Sequence, residues 1–151
     1  LKALTNDLRE TFAPKAQRTE IPLHISLSQR GDEPVRTDST LLHTMLYHLL
    51  ANAYKFTEAG EVHLDVEVET QEERRWLVCT VRDTGIGVDA DVLQHLLEPF
   101  SQHDDSFTRV YQGLGLGLTL CQRYSELLDG DFSLVHSGAS GTTFELRLPA
   151  Q

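Results

Sequence analysis

Long apolar runs, cysteine and positive charge are all scarce in this sequence. No run reaches the roughly 20 residues that a membrane-crossing helix needs, and no signal peptide is recognisable. The two cysteines, Cys79 and Cys121, stand in apolar settings and form no CxxC pair. They predict buried thiols in a reducing compartment. Thirteen Lys and Arg face twenty-three Asp and Glu, a net charge of −10. That balance argues against a nucleic-acid surface or an anionic membrane surface. Any phosphate site must then be built locally, from backbone donors and a few cations, with a metal ion to reduce repulsion. An initiator methionine is also absent, and the chain opens in mid-pattern. It reads as a piece of a longer protein.

What remains is ordinary for a soluble globular chain: 40% hydrophobic and 24% charged residues over 151 positions. That length predicts one domain with a real core. Leu1, Leu4, Leu8 and Phe12 repeat at helical spacing, and Pro14 is expected to end or bend that helix. Ile21 to Ser28 alternates at strand period, with Pro22 marking an edge or a strand start. A short returning strand is expected at Val35 to Thr37. Val62 to Glu69 and Trp76 to Val81 alternate as two strands of an antiparallel hairpin. Asp89 to Leu97 reads as a short helix, and Ser101 to Thr108 as a mobile polar loop. Leu116 to Leu128 is helical, stopped by Asp129-Gly130. Phe132 to His136 and Thr143 to Leu148 are strands joined by a Ser/Gly turn at Ser137 to Gly141. This mixed order predicts a two-layer α/β sandwich with a mixed sheet, not a doubly wound parallel one.

The chain is organised around one helix from about Asp38 or Ser39, its cap, to Thr57. Leu41, Leu42, Met45, Leu46, Leu49, Leu50 and Ala53 form its apolar stripe. Thr44, His48, Asn52 and Lys55 line a second face. An amide oxygen, a cation and an imidazole along one helix suit a magnesium-bound polyphosphate. They equally suit a solvated helix face. Two glycine motifs bear on that choice. Asp83-Thr84-Gly85-Ile86-Gly87 follows a buried strand directly. It is either a turn or a carboxylate that accepts from an exocyclic amine such as adenine's, with glycines that let the base approach. Gln112-Gly113-Leu114-Gly115-Leu116-Gly117-Leu118 precedes a helix. It reads as a loop offering N–H groups to an anion, or as a hinge. Its spacing is not that of a dinucleotide fingerprint.

The order of these motifs resembles the catalytic, ATP-binding domain of the bacterial sensor histidine kinases. That family belongs to the Bergerat-fold group, with the DNA gyrases, mismatch-repair ATPases and heat-shock chaperones. Leu49 to Thr57 is similar to the kinases' asparagine box, and Glu98 to Gln102 to their phenylalanine box. Gly113 to Leu118 resembles their second glycine box, and Ser137 to Phe144 their terminal Ser/Gly segment. The resemblance covers roughly residues 20 to 149.

The resemblance implies a Bergerat sandwich with a largely antiparallel sheet against about three helices. It implies ATP and Mg2+ as ligands, with Asn52 on the metal and Lys55 near the phosphates. Phe56 would lie against the purine, and Asp83 would accept from the adenine amine. Gly85, Gly87 and Val88 would line the base pocket, with Thr142 beside its carboxylate. Ser101 to Gln112 would be the ATP lid, from which Arg109 and Gln112 reach the phosphates. Gly113, Gly115 and Gly117, interleaved with Leu114 and Leu116, would supply backbone donors. Residues 1–18 would be a linker or the end of a preceding dimerisation helix, and 19–151 the catalytic domain.

This sequence departs from the family pattern in three ways. His48 stands where the kinases usually carry asparagine and the gyrase branch a water-activating glutamate. It is either a proton acceptor or a hydrogen-bonding spacer. The spacer is favoured because transfer to an already nucleophilic imidazole needs little base catalysis. Leu114 replaces a common threonine or serine, and the Ser/Gly turn is a residue short. Finally, none of His24, His43, His48, His63, His95, His103 and His136 sits in a phosphoacceptor context such as His-Glu-Ile-Arg-Thr-Pro.

The expected function is therefore ATP γ-phosphoryl transfer to a histidine on a separate dimerisation domain of the same parent. The domain is expected in the cytoplasm, and its parent to be a homodimer, free or anchored in the inner membrane, with a response-regulator partner. This domain itself would contact neither nucleic acid nor membrane. The alternative is a regulatory domain that has lost or weakened ATP use and docks to another sensor kinase.

Overall fold

The computed structural model describes residues 1–28, 35–85 and 112–150. Among these residues, three helices and five strands run in the order α1 (Lys2–Thr19), β1 (Leu23–Ser28), α2 (Ser39–Phe56), β2 (Val62–Gln71), β3 (Arg74–Asp83), α3 (Gln112–Leu127), β4 (Asp131–Gly138) and β5 (Gly141–Ala150). The strands form one sheet, ordered β1-β2-β3-β5-β4. β1 joins β2 in parallel, while the other three pairings are antiparallel. This is the mixed, largely antiparallel sheet expected from the sequence.

Alternation along each strand places one set of side chains on the helical side. Val62, Leu64 and Val66 of β2, Leu77, Cys79 and Val81 of β3, and Phe144, Leu146 and Leu148 of β5 all enter the core. Helix α2 meets them with Leu42, Met45, Leu46, Leu49, Leu50 and Ala53, and α3 with Leu118 and Cys121. The period of two in the strands and 3.6 in the helices thus yields two layers with one core between them. Burial pushes both thiols, Cys79 and Cys121, up to about 12. Neither is bonded to another cysteine.

Helix α1 shares that core. Leu8 and Phe12 are buried, and Phe12 stacks on Tyr54 of α2 with centroids 5.8 Å apart. The Tyr54 hydroxyl donates to the Ile21 carbonyl at 3.0 Å, tying the α1–β1 corner to the central helix. Pro14 does not end α1, which continues to Thr19. Proline removes the bond to the carbonyl four residues back, that of Glu10. Both residues are exposed, so water can satisfy what the helix loses.

Three other expectations change. Residues 35–37 are not a strand. The β4–β5 turn tightens to Ala139 and Ser140, because pairing continues through Gly138 and Gly141. The glycine run lies inside α3 instead of before it. The short helix expected at Asp89 to Leu97 and the lid from Ser101 lie outside the described residues.

Candidate nucleotide site

The candidate site is assembled at the C-terminal half of α2. The helix starts where Asp38 accepts from the Leu41 N–H at 3.0 Å, an N-cap that satisfies one free donor. It ends at Thr57, whose backbone is extended. Between them the polar stripe faces partly inward: His48 is half-buried, Asn52 is only 8% exposed, and Lys55 is exposed. Phe56 is half-buried at the last turn.

Helix α3 covers this stripe. A β-carbon on Gly117 would stand 3.4 Å from Asn52 Nδ2, 3.4 Å from His48 Cβ and 3.6 Å from His48 Nδ1. Glycine lets the two helices come together there without filling the space beside the asparagine. The position of the glycines also redistributes their roles. A helix leaves only its first-turn N–H groups unpaired. In a helix beginning at Gln112, Gly113 lies in that turn, whereas Gly117 lies beyond it and serves close approach.

The second motif meets the same helix from the sheet. A β-carbon on Gly85 would stand 2.4 Å from the Phe56 carbonyl oxygen and 3.0 Å from Thr57 Cα. Only glycine allows the end of β3 to cross the end of α2 this closely. Asp83, two residues earlier, is 6% exposed. Burial raises its carboxyl above the ordinary range, and the N–H groups of Gly85 and Thr142 oppose that rise. The Gly85 bond is 3.0 Å long. Thr142 sits opposite Asp83 in the ladder, and its hydroxyl is 3.3 Å from that of Ser137. Gly141 has φ of +120°, and a β-carbon there would run into the Asp83 carbonyl. The terminal Ser/Gly segment is thus fitted to the aspartate.

Two buried polar groups at the end of α2 have no hydrogen-bond partner among the described residues: the Asn52 amide nitrogen and the Thr57 hydroxyl. Burying such groups unpaired costs about 1–3 kcal/mol each. Unsatisfied buried groups are rare in folded chains, and a catalytic role or a bound water or ion is among their explanations. Which end of the Asn52 amide points outward is set by its partners, so the same side chain can present oxygen to a cation. The residues present therefore fit a hard cation and a polar ligand beside α2.

His48, Asn52, Phe56, Asp83, Gly85, Gly117 and Thr142 thus come together, with Lys55 at the exposed rim. Gly87, Val88 and Arg109 lie outside the described residues. For Gln112, Gly113, Leu114, Gly115 and Leu116 the helical backbone is described. Sequence reasoning passed over Thr57, Thr84 and Gly141. Thr57 was legible as the residue closing the asparagine box. Thr84 and Gly141 are recognised only through what they touch.

Comparison with known proteins identifies the family and the fold. The model of the histidine kinase-, DNA gyrase B-, and HSP90-like ATPases matches residues 37–151. The chain is 36% identical over 146 residues to the autoinducer 2 sensor kinase/phosphatase LuxQ of Vibrio parahaemolyticus, covering 95% of this chain and 17% of that protein. It is 30% identical over 148 residues to the sensor histidine kinase RcsC of Escherichia coli, covering 98% of this chain and 15% of that protein. Among solved structures, full-length ShkA in complex with AMPPNP superposes with a TM-score of 0.75 at 27% identity, over 98% of this chain and 29% of ShkA. The catalytic domain of histidine kinase ThkA superposes with a TM-score of 0.69 at 16% identity, over 99% of this chain and 91% of that domain, a likeness of fold.

The chain belongs to the family of histidine kinase-, DNA gyrase B-, and HSP90-like ATPases. Within it, the chain is a histidine-kinase-like ATPase catalytic domain of the type found in bacterial sensor kinases. It spans 17% of the length of the LuxQ protein it matches.

Proposed function

We propose that this chain is the ATP-binding catalytic domain of a two-component sensor histidine kinase, and that it hands the γ-phosphoryl group to a histidine on a separate dimerisation domain of the same parent. The observation that carries this reading is the packing of Gly117 against Asn52 and His48, with Gly85 against Phe56 and Thr57. Three motifs distant in sequence meet at the C-terminal half of α2, where the buried Asn52 amide nitrogen has no partner among the described residues.

Each residue has a defined task in this reading. Asp83 accepts from the adenine amine, in a pocket bordered by Thr142, Gly85, Gly87 and Val88. Phe56 packs against the purine. Lys55, Arg109 and Gln112 reach the phosphates, and the first turn of α3 offers its free N–H groups to them. Asn52 would hold magnesium, which supplies charge neutralisation at the β- and γ-phosphoryl oxygens. His48 spaces the helix face beside Asn52. Little covalent chemistry is asked of the domain, since phosphoryl transfer depends on position and charge.

The rest of the parent follows from the same reading. Residues 1–18 are the linker or the end of a dimerisation helix, docked on the catalytic domain 19–151 through Leu8 and Phe12. The parent works as a homodimer on the cytoplasmic side and passes the phosphoryl group to a response regulator. No helix among the described residues is long and apolar enough to cross a membrane.

Calorimetric titration with ATP tests the site. Wild type should bind with magnesium and more weakly without it. Asn52→Ala should abolish that difference between the two conditions. Equal affinity with and without magnesium in wild type would overturn the role of Asn52.

A further inference from the structure

On the face of the sheet opposite the core, the parallel β1–β2 pair places His24 directly beside His63. The two imidazoles stack with centroids 4.8 Å apart. Both have Nε2 within 4 Å of one carboxylate. Glu61 Oε2 lies 2.9 Å from His63 Nε2, and Glu61 Oε1 lies 3.8 Å from His24 Nε2. One ligand atom from each residue falls within 4.8 Å of the others.

We propose that His24, Glu61 and His63 form a binding site for a divalent transition-metal ion, zinc in the first place, independent of the nucleotide site. Two imidazole nitrogens and one carboxylate oxygen are a donor set that suits zinc, with a fourth position left to water. Zinc holds nitrogen and oxygen at about 2.0–2.2 Å, which puts two donors on one ion roughly 3.4 Å apart. Small side-chain rotations bring the three atoms from their present spacing to that one. The side chains of His24 and Glu61 are half exposed, and that of His63 is 21% exposed, so such rotations meet little packing resistance.

A hydrogen bond alone accounts for His63 and Glu61. It does not account for His24, whose Nε2 lies 3.8 Å from the carboxylate, beyond hydrogen-bond range. A single cation among the three side chains satisfies both nitrogens and the carboxylate at once.

The backbone beneath the triad is already fixed. Thr84 Oγ1 accepts from the Glu61 N–H at 2.9 Å, and the Thr84 N–H donates to the Glu61 carbonyl at 3.2 Å. Gly60, at φ of +130°, packs against the same threonine. His24 and His63 are held in register by the ladder. Only side-chain freedom remains to be lost on binding, which favours capture of the ion.

The test is titration of the whole chain with zinc chloride by calorimetry, repeated with cobalt(II) and read by its visible absorption. Wild type should take up one ion at this site and give the intense bands of four-coordinate cobalt. His24→Ala, His63→Ala and Glu61→Gln should each weaken uptake by about tenfold or more. His136→Ala, a surface histidine on β4, should leave uptake unchanged. All these side chains are on the surface, and circular dichroism checks that each variant folds. Uptake by His24→Ala and His63→Ala as tight as wild type, or no uptake by wild type, would overturn the proposal.

Discussion

Gly117 of α3 lies against the amide of Asn52, close enough that a β-carbon would touch Nδ2 at 3.4 Å. The contact joins the glycine motif to the asparagine helix. It makes two substitutions at one position behave differently. A single methyl at 3.4 Å is at the edge of ordinary packing, and alanine is favoured over glycine in a helix by about 0.8–1.0 kcal/mol. Gly117→Ala should therefore fold with unchanged or slightly raised stability. Gly117→Val adds methyls that press on Asn52 and His48, so it should lose ATP affinity while still folding. Thermal melts and ATP titrations of the two variants check this. Equal ATP affinity in Gly117→Val and wild type would separate Gly117 from the site.

Asp83 carries a conflict between folding and binding. Burial raises its pKa in the fold, so the folded state holds that proton more readily than the unfolded chain. The stability tied to this group is present at low pH and is lost as pH rises through the folded pKa. At neutral pH the charged carboxylate is a cost to the nucleotide-free domain. Asp83→Asn, which mimics the neutral acid, should raise the melting temperature at pH 7. The gap between variant and wild type should close as pH falls. The same substitution should weaken ATP binding by about 1–3 kcal/mol, because the adenine amine loses its charged acceptor. Melts across pH and calorimetry at pH 7 read the two effects. A less stable variant with unchanged ATP affinity would contradict both.

His48 stands beside Asn52 and is half-buried against Gly117. If it spaces the helix face, His48→Asn should keep phosphoryl transfer within about threefold of wild type. If it takes a proton, the loss should be about 10²-fold or greater. Initial rates of phosphoryl transfer to the dimerisation domain decide between the two, and the spacer role predicts the smaller effect.

The legible parts of this molecule were those written in short, contiguous stretches. The apolar stripe of α2, the β2–β3 hairpin and the order of the motifs could all be read along the chain. Three features could not. The glycine run reads as a loop because glycine weakens helices by propensity, yet α3 begins at Gln112. Its packing on α2 outweighs that preference. Pro14 reads as a helix end or a bend, and because the lost hydrogen bond faces water α1 runs on to Thr19. The pairing of His24 with His63 depends on a parallel ladder between segments that are far apart in sequence. No local pattern records it. The same holds for the contacts of Gly85 and Gly141, whose necessity appears only once the partner backbone is in place.

Phosphoryl transfer to a second domain is the most direct measure of the function proposed for this domain. Donor and acceptor must be held in line at contact distance, and in the function proposed above this chain supplies the donor site. It should be incubated with γ-labelled ATP and magnesium, first by itself and then with the parent's histidine-bearing helical-hairpin domain as a separate chain. By itself it should gain no acid-labile label and hydrolyse ATP slowly. With the hairpin domain present, label should appear on that domain, and Asn52→Ala should prevent it. Efficient labelling of the chain on one of its own histidines, or no labelling of the hairpin domain although ATP binds, would contradict the account.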